Sequence, residues 1–314
     1  MKKSILIMLF ISITLLSCKK SAAEFVESGN KNFDLHKYYK AIEDYSLAIE
    51  ADPNIAIAYN NRGLATIKLF VNAEEKATFS DSLKNSIIND YNKAIEFNPN
   101  MSEAYNNKAI ALIILNVNSL QGQEPPKIGD EIIKNINKAI EINPKYTLAY
   151  YNRAFASNYF QSNYSRSIIA RDYFKDKNQI PSVIYDCSKA IALNPTFALS
   201  YIKRAEAKEL LADYNGVIED YTKALTICPK NTKFDLFFKR GSAKYSLKDF
   251  KGAIEDFNSA IKYTRNTKDS LYALKLRLYA NCRINPNSDD SKAQSLFLTK
   301  FEKSKSYQLF LQNN

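Results

Sequence analysis

Between residues 201 and 229 the apolar side chains recur every three or four residues in two short runs, separated by the turn formers Asp213, Asn215 and Gly216. At this period a helix gathers its apolar residues on one face, so the stretch predicts two amphipathic helices joined by a turn. Pro229 ends the second, because proline lacks an N–H and disfavours a helical residue before it. The same landmarks return along the chain in units of 34 residues. With Ala198 as position 1, position 4 is large and apolar in Phe25, Tyr59, Tyr105, Tyr150, Tyr201 and Phe237, and position 8 is small in Gly29, Gly63, Ala109, Ala154, Ala205 and Gly241. Position 24 holds Tyr45, Tyr91, Ile136, Cys187, Tyr221 and Phe257, and position 27 is alanine in Ala48, Ala94, Ala139, Ala190, Ala224 and Ala260. Pro53, Pro99, Pro144, Pro195 and Pro229 keep the register at position 32, and Arg265 breaks it in the sixth copy.

The residue types have a physical reading. Small side chains at positions 8 and 27 let the two helices of a copy approach, while bulky groups at 4 and 24 fill the space between neighbouring copies. One copy cannot bury its face alone, so the copies must stack and the predicted fold is all-α. The period and a pattern such as Ala41-Ile42-x-x-Tyr45-x-x-Ala48-x-x-x-x-Pro53 resemble the tetratricopeptide repeat (TPR) family. The resemblance implies a right-handed solenoid of helix-turn-helix repeats: six over residues 25–265, then a degenerate repeat and capping helix over 266–314. In that last part residues 271–283 are helical in period, Asn285-Pro286 breaks the run, and Asp289 and Asp290 suit the N-terminus of a final helix reaching Leu311.

The second, third and fourth copies are longer than the others, with the excess in residues 70–85, 116–130 and 160–181. Each excess falls between the two helices of its own copy, which predicts that the insertions share one rim of the stack. The first can lengthen both flanking helices around a bend. The second contains Gly122, Pro125, Pro126 and Gly129 and is expected to be a loop. The third carries Tyr164, Arg166, Arg171, Tyr173, Phe174 and Lys175, which either pack on lengthened helices or form a contact surface.

The N-terminus reads as an export segment. Lys2 and Lys3 precede an apolar run from Ile5 to Leu16. The run is shorter than the roughly 20 residues a bilayer-spanning helix needs, so residues 1–17 are expected to be a removed signal peptide. Leu15-Leu16-Ser17-Cys18 resembles the lipobox of bacterial lipoproteins, which implies acylation of Cys18 and a membrane anchor there, followed by a tether over residues 18–24. Lys19 after the cysteine implies delivery to the outer membrane, on the periplasmic side rather than the surface.

The formal net charge of +11 falls to +9 once Lys2 and Lys3 are removed. The lysines are spread among acids along the helices, so they read as solvated faces, and export makes nucleic acid an improbable partner. The four cysteines include no CxxC; whether Cys228 and Cys282 pair in an oxidising compartment stays open. His36 is the only histidine, and five of the seven glycines occupy repeat positions, so the chain lacks a phosphate-cradling loop, an HExxH site or a nucleophile elbow. The acid pairs Glu43-Asp44, Glu219-Asp220 and Glu255-Asp256 recur at positions 22 and 23, which makes them repeat-face residues rather than an acid/base pair. No enzyme, cofactor, metal or small-molecule substrate is expected.

Position 6 of the first helix points away from the apolar stripe and holds Glu27, Asn61, Asn107, Asn152, Lys203 and Lys239, with Asn60, Asn106 and Tyr151 directly before three of them. In TPR proteins this face resembles the wall of a concave groove. The resemblance implies that Asn61, Asn107 and Asn152 grip an extended peptide backbone while Lys203 and Lys239 attract an acid. The expected role is a lipid-anchored, non-enzymatic scaffold of the bacterial cell envelope that binds a protein or peptide. The alternative is a structural subunit of an outer-membrane assembly or export complex.

Overall fold

A ring at position 24 can lie flat against its neighbour helix only where that helix carries almost no side chain, and this requirement shapes each repeat. The structure, a computed structural model, describes residues 20–72, 80–116, 125–164, 179–264 and 267–284. The described residues form thirteen α-helices, one short 3-10 turn and no strand. The helices are α1 (Ala22–Asp34), α2 (Tyr38–Ala51), α3 (Ala56–Val71), α4 (Asp81–Phe97), α5 (Ser102–Asn116), α6 (Pro125–Ile142) and α7 (Thr147–Tyr164). They continue with α8 (Gln179–Leu193), α9 (Ala198–Leu210), α10 (Tyr214–Ile227), α11 (Lys233–Ser246), α12 (Phe250–Tyr263) and α13 (Thr267–Ile284).

The chain divides into two units, Met1–Asn152 and Arg153–Asn314, with the division inside α7. In the first, α1 packs on α2, α3 on α4 and α5 on α6; α2 joins α3 and α4 joins α5, and the first helices α1, α3 and α5 also touch one another in order. In the second, each helix from α8 to α13 packs on the next, and α11 touches α13. This is the stacked helix-pair architecture expected from the sequence.

Tyr45, Tyr91, Tyr221 and Phe257 at position 24 are all fully buried. A Cβ added at Gly29 would lie 2.5 Å from the Tyr45 ring, and one at Gly63 or Gly241 would lie 3.0 Å from the rings of Tyr91 or Phe257. On its other side the ring meets a small residue at position 10 of the next repeat: Ala65 shares a cluster with Tyr45, Ala111 with Tyr91, and Ala243 with Tyr221. Position 4 does a different job. Tyr59 and Tyr150 donate their hydroxyls to the carbonyls of Pro53 and Pro144, at 3.1 and 3.2 Å, tying each helix to the turn before it.

Local chemistry sets the ends. Ser21 and Glu24 form a capping box, so α1 begins at Ala22, inside the segment expected to be a tether. Asp213 and Asp249 cap α10 and α12 by accepting from the N–H of Gly216 and Gly252 at 3.0 Å. The turns of the three regular repeats pass through a left-handed residue, His36, Ala212 or Lys248, which closes the first helix. His36 Nδ1 lies 2.9 Å from the Tyr38 hydroxyl, so the lone histidine belongs to a turn.

The insertions meet the expectations unequally. The first does lengthen its flanking helices: α3 and α4 have 16 and 17 residues against 13 and 14 in α9 and α10. The second was expected to be a loop, yet α6 begins at Pro125 and includes Pro126 and Gly129. Proline is at ease in the first turn of a helix, where its missing N–H would have no partner anyway. The rest of that insertion, residues 165–178 of the third with Arg166, Arg171, Tyr173, Phe174 and Lys175, and residues 285–314 lie outside the described residues. In α13, Ala273 and Ala280 are fully buried seven residues apart, the spacing of positions 3 and 10 in the other first helices.

Gly29→Ala is expected to destabilise the protein by about 1–3 kcal/mol, because Tyr45 is held on both sides and cannot yield. Urea unfolding followed by circular dichroism checks this, and the double variant Gly29→Ala/Tyr45→Ile, which copies the Ala109/Ile136 pairing, is expected to recover most of the loss.

Candidate binding surface

The first helices of the Met1–Asn152 unit bring position 6 and its neighbours into one file. Asn152 Nδ2 donates to Asn106 Oδ1 at 2.8 Å, Asn106 Nδ2 to Asn107 Oδ1 at 3.4 Å, and Asn107 Nδ2 to Asn60 Oδ1 at 3.1 Å. Asn60 then donates to Asn61 at 2.9 Å, and Asn61 to Asn30 at 2.9 Å. The three predicted residues Asn61, Asn107 and Asn152 therefore belong to one continuous chain of amides running across α7, α5, α3 and α1. Asn60 and Asn106, both buried, are the links between them. At one end Asn30 Oδ1 also accepts from the Tyr45 hydroxyl at 2.9 Å. Next to the other end, at Asn152, Asn106 Nδ2 reaches the Tyr146 hydroxyl at 3.5 Å. Burial pushes both phenols up to about 12, so they stay protonated at neutral pH.

An asparagine amide has two N–H groups and two acceptor lone pairs. Asn61 and Asn107 each give one donor and one acceptor to the file and keep one of each, and Asn152 keeps at least as much; all three are half-buried. The file carries no formal charge and its amide planes are fixed by one another.

The two predicted lysines lie in the other unit and already have carboxylate partners. Lys203 Nζ is 2.6 Å from Glu206 and lies over the Phe155 ring, and Lys239 Nζ is 3.5 Å from Glu209. Cys228 and Cys282 are thiols rather than a disulfide. Burial, with Asp186 beside it, pushes the Cys187 thiol up to about 12, which keeps it protonated and unreactive. Cys18 and the signal segment lie outside the described residues.

A second polar system recurs between positions 7 and 23. Arg62, Arg153, Arg204 and Arg240, all at position 7, grip Asp90, Asp186, Asp220 and Asp256 through two parallel bonds of 2.6–3.0 Å. The aspartates are nearly inaccessible. Three of these guanidiniums also reach a hydroxyl of the preceding repeat: Arg62 bonds Ser46, Arg204 bonds Ser188 and Arg240 bonds Thr222, at 2.9–3.2 Å. Lys208 and Lys244 add a second cation to Asp220 and Asp256 at 2.9 Å. The bond from Asp220 raises the Arg204 guanidinium further. These carboxylates are charge partners in a structural fork, not free acids. The signal for them was arginine at position 7 recurring with aspartate at position 23. The first repeat departs from it, with Ser28 donating to Asp44 at 2.9 Å, and so does the third. Lys108 and Asn135 take the two places, Lys108 pairs with Glu131 at 2.9 Å, and an open pocket of about 800 Å³ borders them.

Comparison with known proteins agrees with this architecture. Residues 234–267, spanning α11 and α12, match the tetratricopeptide repeat family. A stretch of 54 residues is 33% identical to the DnaJ homolog subfamily C member 7 homolog of Dictyostelium discoideum, covering 17% of this chain and 10% of that protein. The chain thus spans only about a tenth of that relative's length. Among solved structures, PilW, described as a widely conserved type IV pilus biogenesis factor, superposes with a TM-score of 0.51 at 13% identity over 87% of this chain and 97% of its own. The Cut9–Hcn1 hetero-tetramer of the APC/C gives a TM-score of 0.52 at 15% identity, covering 88% of this chain and 48% of that one. At these identities the likeness is one of fold.

Asp220→Ala is expected to cost about 3–5 kcal/mol, since it leaves Arg204 and Lys208 uncompensated in a buried place. Replacing Arg204, Lys208 and Asp220 together by leucine or methionine is expected to cost less, and equilibrium unfolding of the two variants measures the difference.

Proposed function

We propose that this chain, a stack of tetratricopeptide-type helix pairs, is a non-enzymatic interaction scaffold that holds an extended protein segment along the amide file of its first unit. The observation that carries the reading is the half-used hydrogen-bonding capacity of Asn61, Asn107 and Asn152, lined up on successive helices. A peptide unit offers one N–H and one C=O, which is what each of these amides lacks, so pairing is independent of the bound side chains. Because the amides already fix one another, little further ordering accompanies binding. Lys203 and Lys239, each beside a glutamate, offer polar contacts to a second ligand segment rather than bare positive charge.

In the same reading Cys18 is the lipid attachment point and the protein works in the bacterial envelope, held to the outer membrane and facing the periplasm. The support is the order Leu16-Ser17-Cys18 behind a short apolar run. No described helix is long and apolar enough to cross a membrane.

A photo-crosslinking residue at Ile57, one turn before Asn61 on the same helix face, is expected to capture a partner in the native host, and the same residue at Glu50 on α2 is not. Adding Asn107→Ala and Asn152→Ala is expected to remove the adduct while the variant stays folded by circular dichroism; an adduct of undiminished yield rules the file out. Cys18→Ser is expected to move the protein from the membrane to the soluble fraction on cell fractionation, and its retention in the membrane rules the anchor out.

A further inference from the structure

Register position 26 is lysine in four successive repeats: Lys93, Lys138, Lys189 and Lys223. In the Met1–Asn152 unit each is neutralised by a glutamate three residues on. Lys93 Nζ lies 2.8 Å from Glu96 and Lys138 Nζ lies 2.6 Å from Glu141, and both ammonium groups are raised by that bond. In the Arg153–Asn314 unit the glutamates are replaced by Ala192 and Thr226. The Thr226 hydroxyl donates to the Lys223 carbonyl at 2.7 Å instead. Lys189 and Lys223 are exposed and form no ion pair among the described residues.

The change at these two positions belongs to a larger asymmetry. Residues 1–152 hold 17 basic and 17 acidic side chains, whereas residues 153–314 hold 27 basic and 16 acidic ones, so the whole net charge of the chain lies in the second unit. There Asp186, Asp220 and Asp256 are committed to the buried forks and cannot offset surface lysines.

Lys189 and Lys223 also lie on the second helices of successive repeats, α8 and α10. The Arg204 guanidinium touches Ser188 of α8 and Asp220 of α10 at once, so these two helices flank α9, on which both pack. Lys189 lies over the Tyr185 ring at 5.4 Å, and Tyr185 and Leu193, four residues to either side of it, are both exposed.

We propose that this row on α8 and α10 docks an acidic, extended polypeptide segment whose carboxylates take the places that Glu96 and Glu141 fill in the first unit. The row is one lysine wide, with apolar Tyr185 and Leu193 beside it and the acid Glu219 one turn before Lys223. A single strand of carboxylates fits that pattern, whereas a lipid surface needs a broad basic face. The surface is separate from the amide file and does not depend on it.

The test uses the full chain and a fluorescein-labelled, glutamate-rich peptide of about twelve residues, followed by fluorescence anisotropy. Saturable binding that weakens between about 50 and about 300 mM NaCl is expected. Ala192→Glu/Thr226→Glu, which supplies the missing glutamates without removing a lysine, is expected to lower affinity roughly tenfold, and Lys93→Ala/Lys138→Ala to leave it unchanged. The proposal is overturned if the peptide does not bind, if its glutamine counterpart binds equally, if Ala192→Glu/Thr226→Glu binds as the parent does, or if phosphatidylglycerol vesicles are bound and the peptide is not. Asn107→Ala/Asn152→Ala in the same assay is expected to bind normally, which separates this surface from the amide file.

Discussion

An aromatic ring clamped between two residues that have almost no side chain is the contact from which the rest of this molecule follows. Position 24 lies against position 8 of its own repeat and position 10 of the next, so one side chain fixes both the pairing of helices within a repeat and the stacking of one repeat on another. Interiors pack to crystalline density, and a repeat that can bury its ring only by recruiting a neighbour has no independent fold. Where the ring is exchanged for Ile136 or Cys187, position 8 is alanine, as it also is beside Tyr221.

The close approach has a polar counterpart. A guanidinium at position 7 lies between the second helix of its own repeat and that of the repeat before, and its rigid set of donors meets a carboxylate on one and a hydroxyl on the other. Apolar contact alone would tolerate small slips along the helix axis. A bidentate bond of this kind holds only in one register, and losing either partner leaves a buried charge, so the fork adds specificity to a stack that the rings already hold together.

Upon this common frame the two units carry different chemistry. The first has balanced charge and presents a file of interlocked amides. The second carries the entire excess of positive charge, part of it on lysines whose intramolecular glutamates have been replaced. Both surfaces are suited to polypeptide, one through its backbone and the other through acidic side chains, and neither uses the buried forks. The division of labour is possible because the ring contact and the fork need only positions 7, 8, 10, 23, 24 and 25, which leaves most outward positions of each helix open to variation.

The helix pairs, their order, the small-against-large pairing and the lengthened middle repeats were legible in the chain, because a periodic pattern of size and polarity is a local property that survives without coordinates. So was the placing of Asn61, Asn107 and Asn152 on one face. Tertiary structure alone decided that these amides bond to one another through Asn60 and Asn106, since residues some 46 positions apart are joined there and no local pattern states the distance. It also decided that Pro125 and Pro126 open a helix instead of interrupting one, and that Asp220 is a buried charge partner while Glu219 beside it faces solvent. Adjacent acids look alike in sequence. Which of them is enclosed depends on the helix that packs against them, and that is a fact about neighbours in space.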